Sequence, residues 1–225
     1  MKAIINFASG RYDKGQNRLR QSLIDVGFDG DFFGWRNEID IGSPPHKENP
    51  YAFKIYAFEK ALSMGYTKIL WVDASIWAVK PLDPIWETVD RLGYMKQYAG
   101  HLVGWWANDR SLEYFGLTRD EAMKMEMHGN GGFFALDFEN VTAQQFFMNW
   151  RQSMLDGIFK GEWTNNNKTE SQDERCKGHR HDMTCGSIIA NQLEMKAYVE
   201  NTLMAYVGKG YNEPPETAVM HAMGI

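Results

Sequence analysis

The run Lys68-Ile-Leu-Trp-Val-Asp73-Ala-Ser75 is an apolar stretch that ends in a carboxylate, a small residue and a hydroxyl. A buried strand with an acid at its C-terminal end delivers that acid to the crevice where open α/β sheets bind ligands. There it can hold a divalent cation or a hydroxyl group; the plainer role is a cap on the following turn. A second acid, Asp182, stands in His179-Arg-His-Asp182, where helical character begins. It can cap that helix or take a proton from a hydroxyl. His181 is a second candidate base, since imidazole titrates near neutrality, and Arg180 can meet a phosphate. A third group is the loop Ala8-Ser9-Gly10-Arg11-Tyr12. It offers accessible amides, a guanidinium for phosphate and a ring that stacks on a base, although the same letters also describe a simple turn.

The elements that must position these groups follow from periodicity. Residues 3–8 read as a buried strand, and 16–26 as a helix with Leu19, Leu23 and Ile24 inward. Residues 28–35 read as a second strand, and the Pro44-Pro45 pair keeps 37–50 irregular. The helix expected over 51–64 places Ile55, Phe58 and Leu62 on one face, and Gly65 stops it before the strand 69–72. Strands and helices in this alternation predict a parallel sheet with helices on its faces. The second half is less regular. It suggests an edge strand within 94–106 ending in Trp105-Trp106, and a short helix over 117–125 with Thr118 and Glu121 as a capping box. Asn130-Gly131-Gly132 reads as a turn into a strand, 144–159 as an amphipathic helix and 181–197 as another. The polar segment 161–178 reads as a mobile loop, and the tail carries Pro214-Pro215.

The chain has 225 residues, enough for one domain with a full core, and one domain over 1–225 is the expectation, whether alone or within a longer polypeptide. Its net charge of -5 argues against nucleic-acid binding through a basic surface. Eight tryptophans and 14% aromatic residues suit a dense core and, secondarily, carbohydrate platforms. Cys176 and Cys185, without a further cysteine pair, suggest reduced thiols in a cytoplasmic protein rather than a zinc cluster. No apolar stretch reaches membrane-spanning length, and the N-terminal run lacks a signal-peptide pattern.

Helix, glycine, strand, acid and proline-marked exit (Val79-Lys-Pro-Leu-Asp-Pro-Ile-Trp86), in that order, resemble the metal-site segment of GT-A glycosyltransferases. The resemblance spans most of the chain. It implies an α/β fold of Rossmann type with a mixed, mostly parallel sheet flanked by helices. It implies transfer of a sugar from a nucleoside-diphosphate sugar, UDP being the commonest nucleotide, to a glycan or other hydroxyl acceptor in glycan synthesis. The family's Asp-x-Asp appears here as Asp73-Ala74-Ser75, so a neutral hydroxyl stands where the second carboxylate is usual. The late His221-Ala-Met-Gly224 is similar to a motif that completes the metal shell, which makes Asp73, Ser75 and His221 the implied ligands of Mn²⁺ or Mg²⁺. The resemblance further implies donor contacts from Ala8, Ser9, Arg11, Tyr12 and Ala74. It also implies a donor-directed cation at Lys54, with Lys60 as a rival, and a turn at Asn130 and Gly131 beneath the transferred sugar. The usual Asp-Gln pair of the late helix is half retained, as Asp182-Met183. Asp182, or His181, would then be the base, and inversion would follow if a base stands opposite the leaving group. The polar loop at 161–178 would be a lid over the donor. Two rivals remain open: a nucleotidyltransferase, which usually carries a glycine-rich N-terminal loop, and a nucleotide-sugar-binding module without turnover, which the neutral Ser75 fits.

Overall fold

A computed structural model describes residues 1–129 and 131–223. The first half forms β1 (Lys2–Phe7), α1 (Asp13–Asp25), β2 (Asp31–Trp35), α2 (Ala52–Ser63), β3 (Lys68–Val72), β4 (Ile76–Ala78) and α3 (Asp83–Leu92). The second forms β5 (Tyr94–Met95), β6 (Tyr98–Leu102), α4 (Val103–Trp106), α5 (Asp109–Tyr114), α6 (Arg119–Ala122), β7 (Glu126–His128) and β8 (Phe133–Asp137). It closes with α7 (Val141–Leu155), α8 (His181–Gln192), β9 (Met204–Tyr206) and β10 (Met220–Ala222).

The main sheet runs β2-β1-β3-β8-β5. β1 lies parallel to both β2 and β3, whereas β8 runs antiparallel between β3 and β5. This is the mixed, mostly parallel sheet expected. β8 and all but the first residue of β3 are buried, so both read as continuous apolar runs rather than alternating ones. Smaller sheets, β4-β10-β9 and β6-β7, extend it on the side where the central strands end. One core layer packs α2, α7 and α8 around Phe58, Phe134 and Trp150; the other packs α1 and α3 around Leu19, Ile85 and Val89.

Beneath the first strands a polar network replaces hydrophobic packing. Asn6 Nδ2 donates to the Val72 carbonyl at 2.6 Å, and Gln16 Nε2 donates to Asn6 Oδ1 and to the Trp35 carbonyl. Every member is satisfied, which ties β1, β2, β3 and α1 at one depth.

Some sequence expectations change in detail. Leu19 and Leu23 face the core, but Ile24 lies on the open side of α1, 66% exposed. The helix expected over 117–125 shrinks to α6, although its capping box of Thr118 and Glu121 forms as read. Residues 94–106 make two strands and a helical turn, because Val103, not the tryptophans, is buried there. α8 ends at Gln192. The segment at 161–178 is irregular but tethered: Asn165 bonds the Ser171 and Cys176 carbonyls and the Glu170 and Ser171 amides. Cys176 and Cys185 are free and buried. Among the described residues, no helix is long and apolar enough to cross a membrane.

Candidate active site

Strand β3 ends at Val72, and the next residue is locked on both sides. The Asp73 amide donates to the Gly132 carbonyl at 2.9 Å, and Trp71 Nε1 donates to Asp73 Oδ1 at 2.7 Å. The second oxygen, Oδ2, faces Gly132 so closely that a Cβ there would lie 3.1 Å from it. Gly132 thus leaves room for the carboxylate to open into a cleft rather than against a side chain.

Asp182 reaches the same cleft from the opposite end of the chain. It lies in the first turn of α8, where the bland reading makes it a cap, but no side chain caps this helix. Its Oδ2 instead accepts from Lys54 Nζ of α2 at 2.6 Å, with side chains 3% and 2% exposed. Lys54 also donates to the Gly131 carbonyl and sits over the rings of Tyr51 and Trp71. Trp150 Nε1 holds the Asp182 carbonyl at 2.9 Å. Lys60, the rival on the same helix, is exposed, because it falls on the opposite face of α2. One buried ammonium is therefore paired with a buried carboxylate, Asp182, and lies in the field of a half-buried one, Asp73. Burial raises both carboxyls above the usual carboxylate range; Lys54 opposes that at each, and for Asp182 the nearby Asp73 adds to it.

These groups form a neck between two compartments. Tyr51, Lys54, Asp73 and Ser75 line both. The smaller compartment, about 430 Å³, is walled by Ala8, Ser9, Tyr12, Phe53 and Ala74. The larger, about 590 Å³, extends past Gly131 and Asp182 to Arg180, Trp163 and Tyr206. Tyr51 is a left-handed residue (φ 60°) that starts α2. Its half-buried phenol is held well above its ordinary pKa by desolvation, to which the nearby Asp182 and Asp73 add, and it remains a donor.

Of the residues singled out by sequence, Ala8, Ser9, Tyr12, Lys54, Asp73, Ala74, Ser75, Gly131 and Asp182 are brought to this cleft. Arg11 folds onto its neighbour, Nη2 donating to the Tyr12 hydroxyl at 3.1 Å, and lines neither compartment. His181 is buried behind the cleft among Tyr51, Trp163 and His179, with Nδ1 donating to the Phe159 carbonyl at 2.8 Å. Asn130 and Gly224 lie outside the described residues. Sequence reading passed over Tyr51, Trp163, Tyr206 and Gln97. Gln97 bonds the Leu203 and Met204 amides and the Met204 carbonyl, which fixes β9 at the far wall. A tryptophan inside an otherwise polar loop was the available signal for Trp163; nothing local marked the others.

The residues present fit a divalent cation in part. Asp73 Oδ2 and the Ser75 hydroxyl are hard oxygen donors two residues apart, and both residues line the neck. His221 pairs with Trp77 across β10 and β4, and its ring meets the Trp77 ring edge-on at 5.9 Å. It lines neither compartment. Among the described residues no three His, Cys, Asp or Glu side chains converge as a metal set. An ion at this neck would therefore take most of its oxygens from a ligand and from water.

No protein-family model and no curated protein matches the chain. Solved structures do match. The apo form of mouse xyloside xylosyltransferase 1 superposes with a TM-score of 0.52 at 9% identity, over 99% of this chain and 97% of that one. The apo bifunctional glycosyltransferase WbbM superposes with a TM-score of 0.54 at 8% identity over 98% of this chain, which spans 45% of WbbM. The chain has the GT-A glycosyltransferase fold.

Proposed function

We propose that the protein transfers a sugar from a nucleoside-diphosphate sugar, with UDP as the first candidate nucleotide, to a hydroxyl of a glycan or similar acceptor. The observation that carries this reading is the neck: a carboxylate, a hydroxyl, a phenol and an ammonium between two compartments of unequal character. A nucleoside fits the smaller compartment, with Tyr12 and Phe53 as apolar surfaces and the Ser9 loop at its edge. The sugar then enters the larger one, and its diphosphate must thread the neck.

Asp73 and Ser75 are the residues that would hold Mn²⁺ or Mg²⁺ there, and the ion would stabilise the negative charge gathering on the departing diphosphate. The Tyr51 hydroxyl donates to the same oxygens, and Lys54 supplies a fixed positive charge behind them. Asp182 lines the sugar side and offers its second oxygen to a sugar hydroxyl. Because its other oxygen is engaged by Lys54, we assign it to orienting the sugar, with acceptor deprotonation as a role only if the pair opens. A module that binds the nucleotide sugar without turnover is the second reading, favoured by the neutral Ser75 beside a lone carboxylate.

Calorimetry with UDP, GDP, CMP and dTDP, with and without Mn²⁺, tests the reading. One nucleotide is expected to bind in a Mn²⁺-dependent manner, with the binding lost in Asp73→Ala. Absence of binding by all four overturns it. Donor hydrolysis or transfer then separates the enzyme from the silent module.

A further inference from the structure

Arg180 is the basic side chain of the larger compartment that the scheme above does not use. Its guanidinium is clamped between two indoles, 3.8 Å from the Trp106 ring centroid and 4.2 Å from that of Trp163. Contacts of this kind with the ring faces do not use the guanidinium N–H donors. Arg119, Arg151 and Arg175 each carry a carboxylate. The Arg180 guanidinium has no ion-pair or hydrogen-bond partner among the described residues, although it is partly buried and lines the cleft. Burial, unrelieved by a carboxylate, pulls its pKa down from the ordinary arginine value.

The clamp is built rather than incidental. The Arg180 amide donates to the Trp106 carbonyl and to Thr184 Oγ1, both at 3.1 Å, and the Thr184 hydroxyl donates to the same Trp106 carbonyl. The Trp163 side is set by Gly178 (φ 152°), where a Cβ would lie 2.1 Å from the Trp163 carbonyl oxygen. Only glycine lets the two strands of this loop touch and bring the second indole over the arginine.

Position indicates what these donors are for. The neck, where a diphosphate would pass, is lined by Tyr51, Lys54, Asp73 and Ser75; Arg180 lines only the compartment beyond it. The carboxylates on that side are spoken for or distant in role: Asp182 is paired with Lys54, and Glu200 is not ion-paired with Arg180. We propose that Arg180 anchors an acidic group, a carboxylate or a phosphate ester, carried by the sugar that occupies the larger compartment. This deepens the glycosyltransferase reading and rests on it for the identity of that compartment. The planar fork would bind such an oxyanion through two parallel N–H bonds, and the flanking indoles would pack on the ring that bears it.

The test titrates the protein with glucose, glucuronate and glucose 6-phosphate, following tryptophan fluorescence, and repeats it for Arg180→Gln and Arg180→Lys. At least one of the two acidic sugars is expected to bind roughly tenfold tighter than glucose, about 1.4 kcal/mol. Arg180→Gln should erase the preference, and Arg180→Lys should keep part of it. Which acid wins identifies the oxyanion. Equal binding of charged and neutral sugars by the wild type overturns the proposal without any variant, and so does a preference that survives in Arg180→Gln. UDP binding with Mn²⁺ should be unchanged in Arg180→Gln; an equal loss there makes Arg180 a diphosphate ligand and also overturns it. If acidic sugars bind through Arg180 while no nucleotide binds, the anion site stands and the glycosyltransferase reading falls.

Discussion

The smaller compartment is walled by strand ends and loops that follow them directly: Ala8 after β1, Ala74 after β3 and Phe53 at the start of α2. The larger is walled by short outer strands (β6, β7 and β9), the start of α8 and loop residues such as Trp163, held in place by long-range contacts such as Gln97 to β9, Gly178 to Trp163 and Lys54 to Asp182. One wall inherits its shape from the sheet; the other is assembled from specific pairs. The first should therefore tolerate substitution of any one contact, and the second should fail piecemeal.

The largest effect is expected at the neck, which both compartments share. Lys54→Met leaves Asp182 buried without its counter-charge, and removing one partner of such a pair costs about 3–5 kcal/mol. The double variant Lys54→Met/Asp182→Leu should recover most of that in denaturant unfolding. A single variant as stable as the wild type would mean that the pair is not buried in solution. A smaller, one-sided effect is expected for Gly178→Ala. Strain and the displaced Trp163 loop should cost about 1–3 kcal/mol and weaken binding in the larger compartment, while nucleotide binding in the smaller one persists. Parallel loss of both would erase the distinction between the walls.

The most gradual effect is acid sensitivity. Burial is the main cause that lowers His128 and His179 to about 3; the charge of Lys96 adds to it for the first and that of His181 for the second. Unfolded, each would titrate near 6.5, so between those values the unfolded chain holds the extra proton. Their contribution is present above about pH 6.5 and is lost as pH falls towards 3, at about 1.4 kcal/mol per pH unit for each proton. Both histidines belong to the larger compartment's side, on β7 and ahead of α8. His179→Gln should flatten the fall in melting temperature between pH 6.5 and 4; an unchanged slope refutes the assignment.

The same contrast explains what was legible in the sequence. Asp73 announced itself because a buried strand must be apolar to its last residue and Asp73 broke that run. Lys54 and Asp182 were each visible as candidates, yet their pairing was not, since nothing local encodes a contact across 128 positions. Arg180 was noted as a charge, but its clamp depends on Trp106 and Trp163 from two other segments. Ile24 was misplaced because helical periodicity fixes a face only to within one residue, and the neighbouring Leu23 takes the core position. The polarity of 161–178 suggests a mobile loop, and it gives no sign that one half-buried asparagine side chain, Asn165, ties four of its backbone groups together.

The Lys54–Asp182 pair also dictates an order of assembly. During synthesis at about 5–20 residues per second, the lysine leaves the ribosome on the order of ten seconds before its aspartate. Through that interval the ammonium has no burial-compatible partner, so α2 can dock only loosely on β1 and β3. The neck is thus a late event that waits for α8, and a nascent chain halted before Asp182 would have the walls of the smaller compartment but neither the ion pair of the neck nor the α8 side of the larger one.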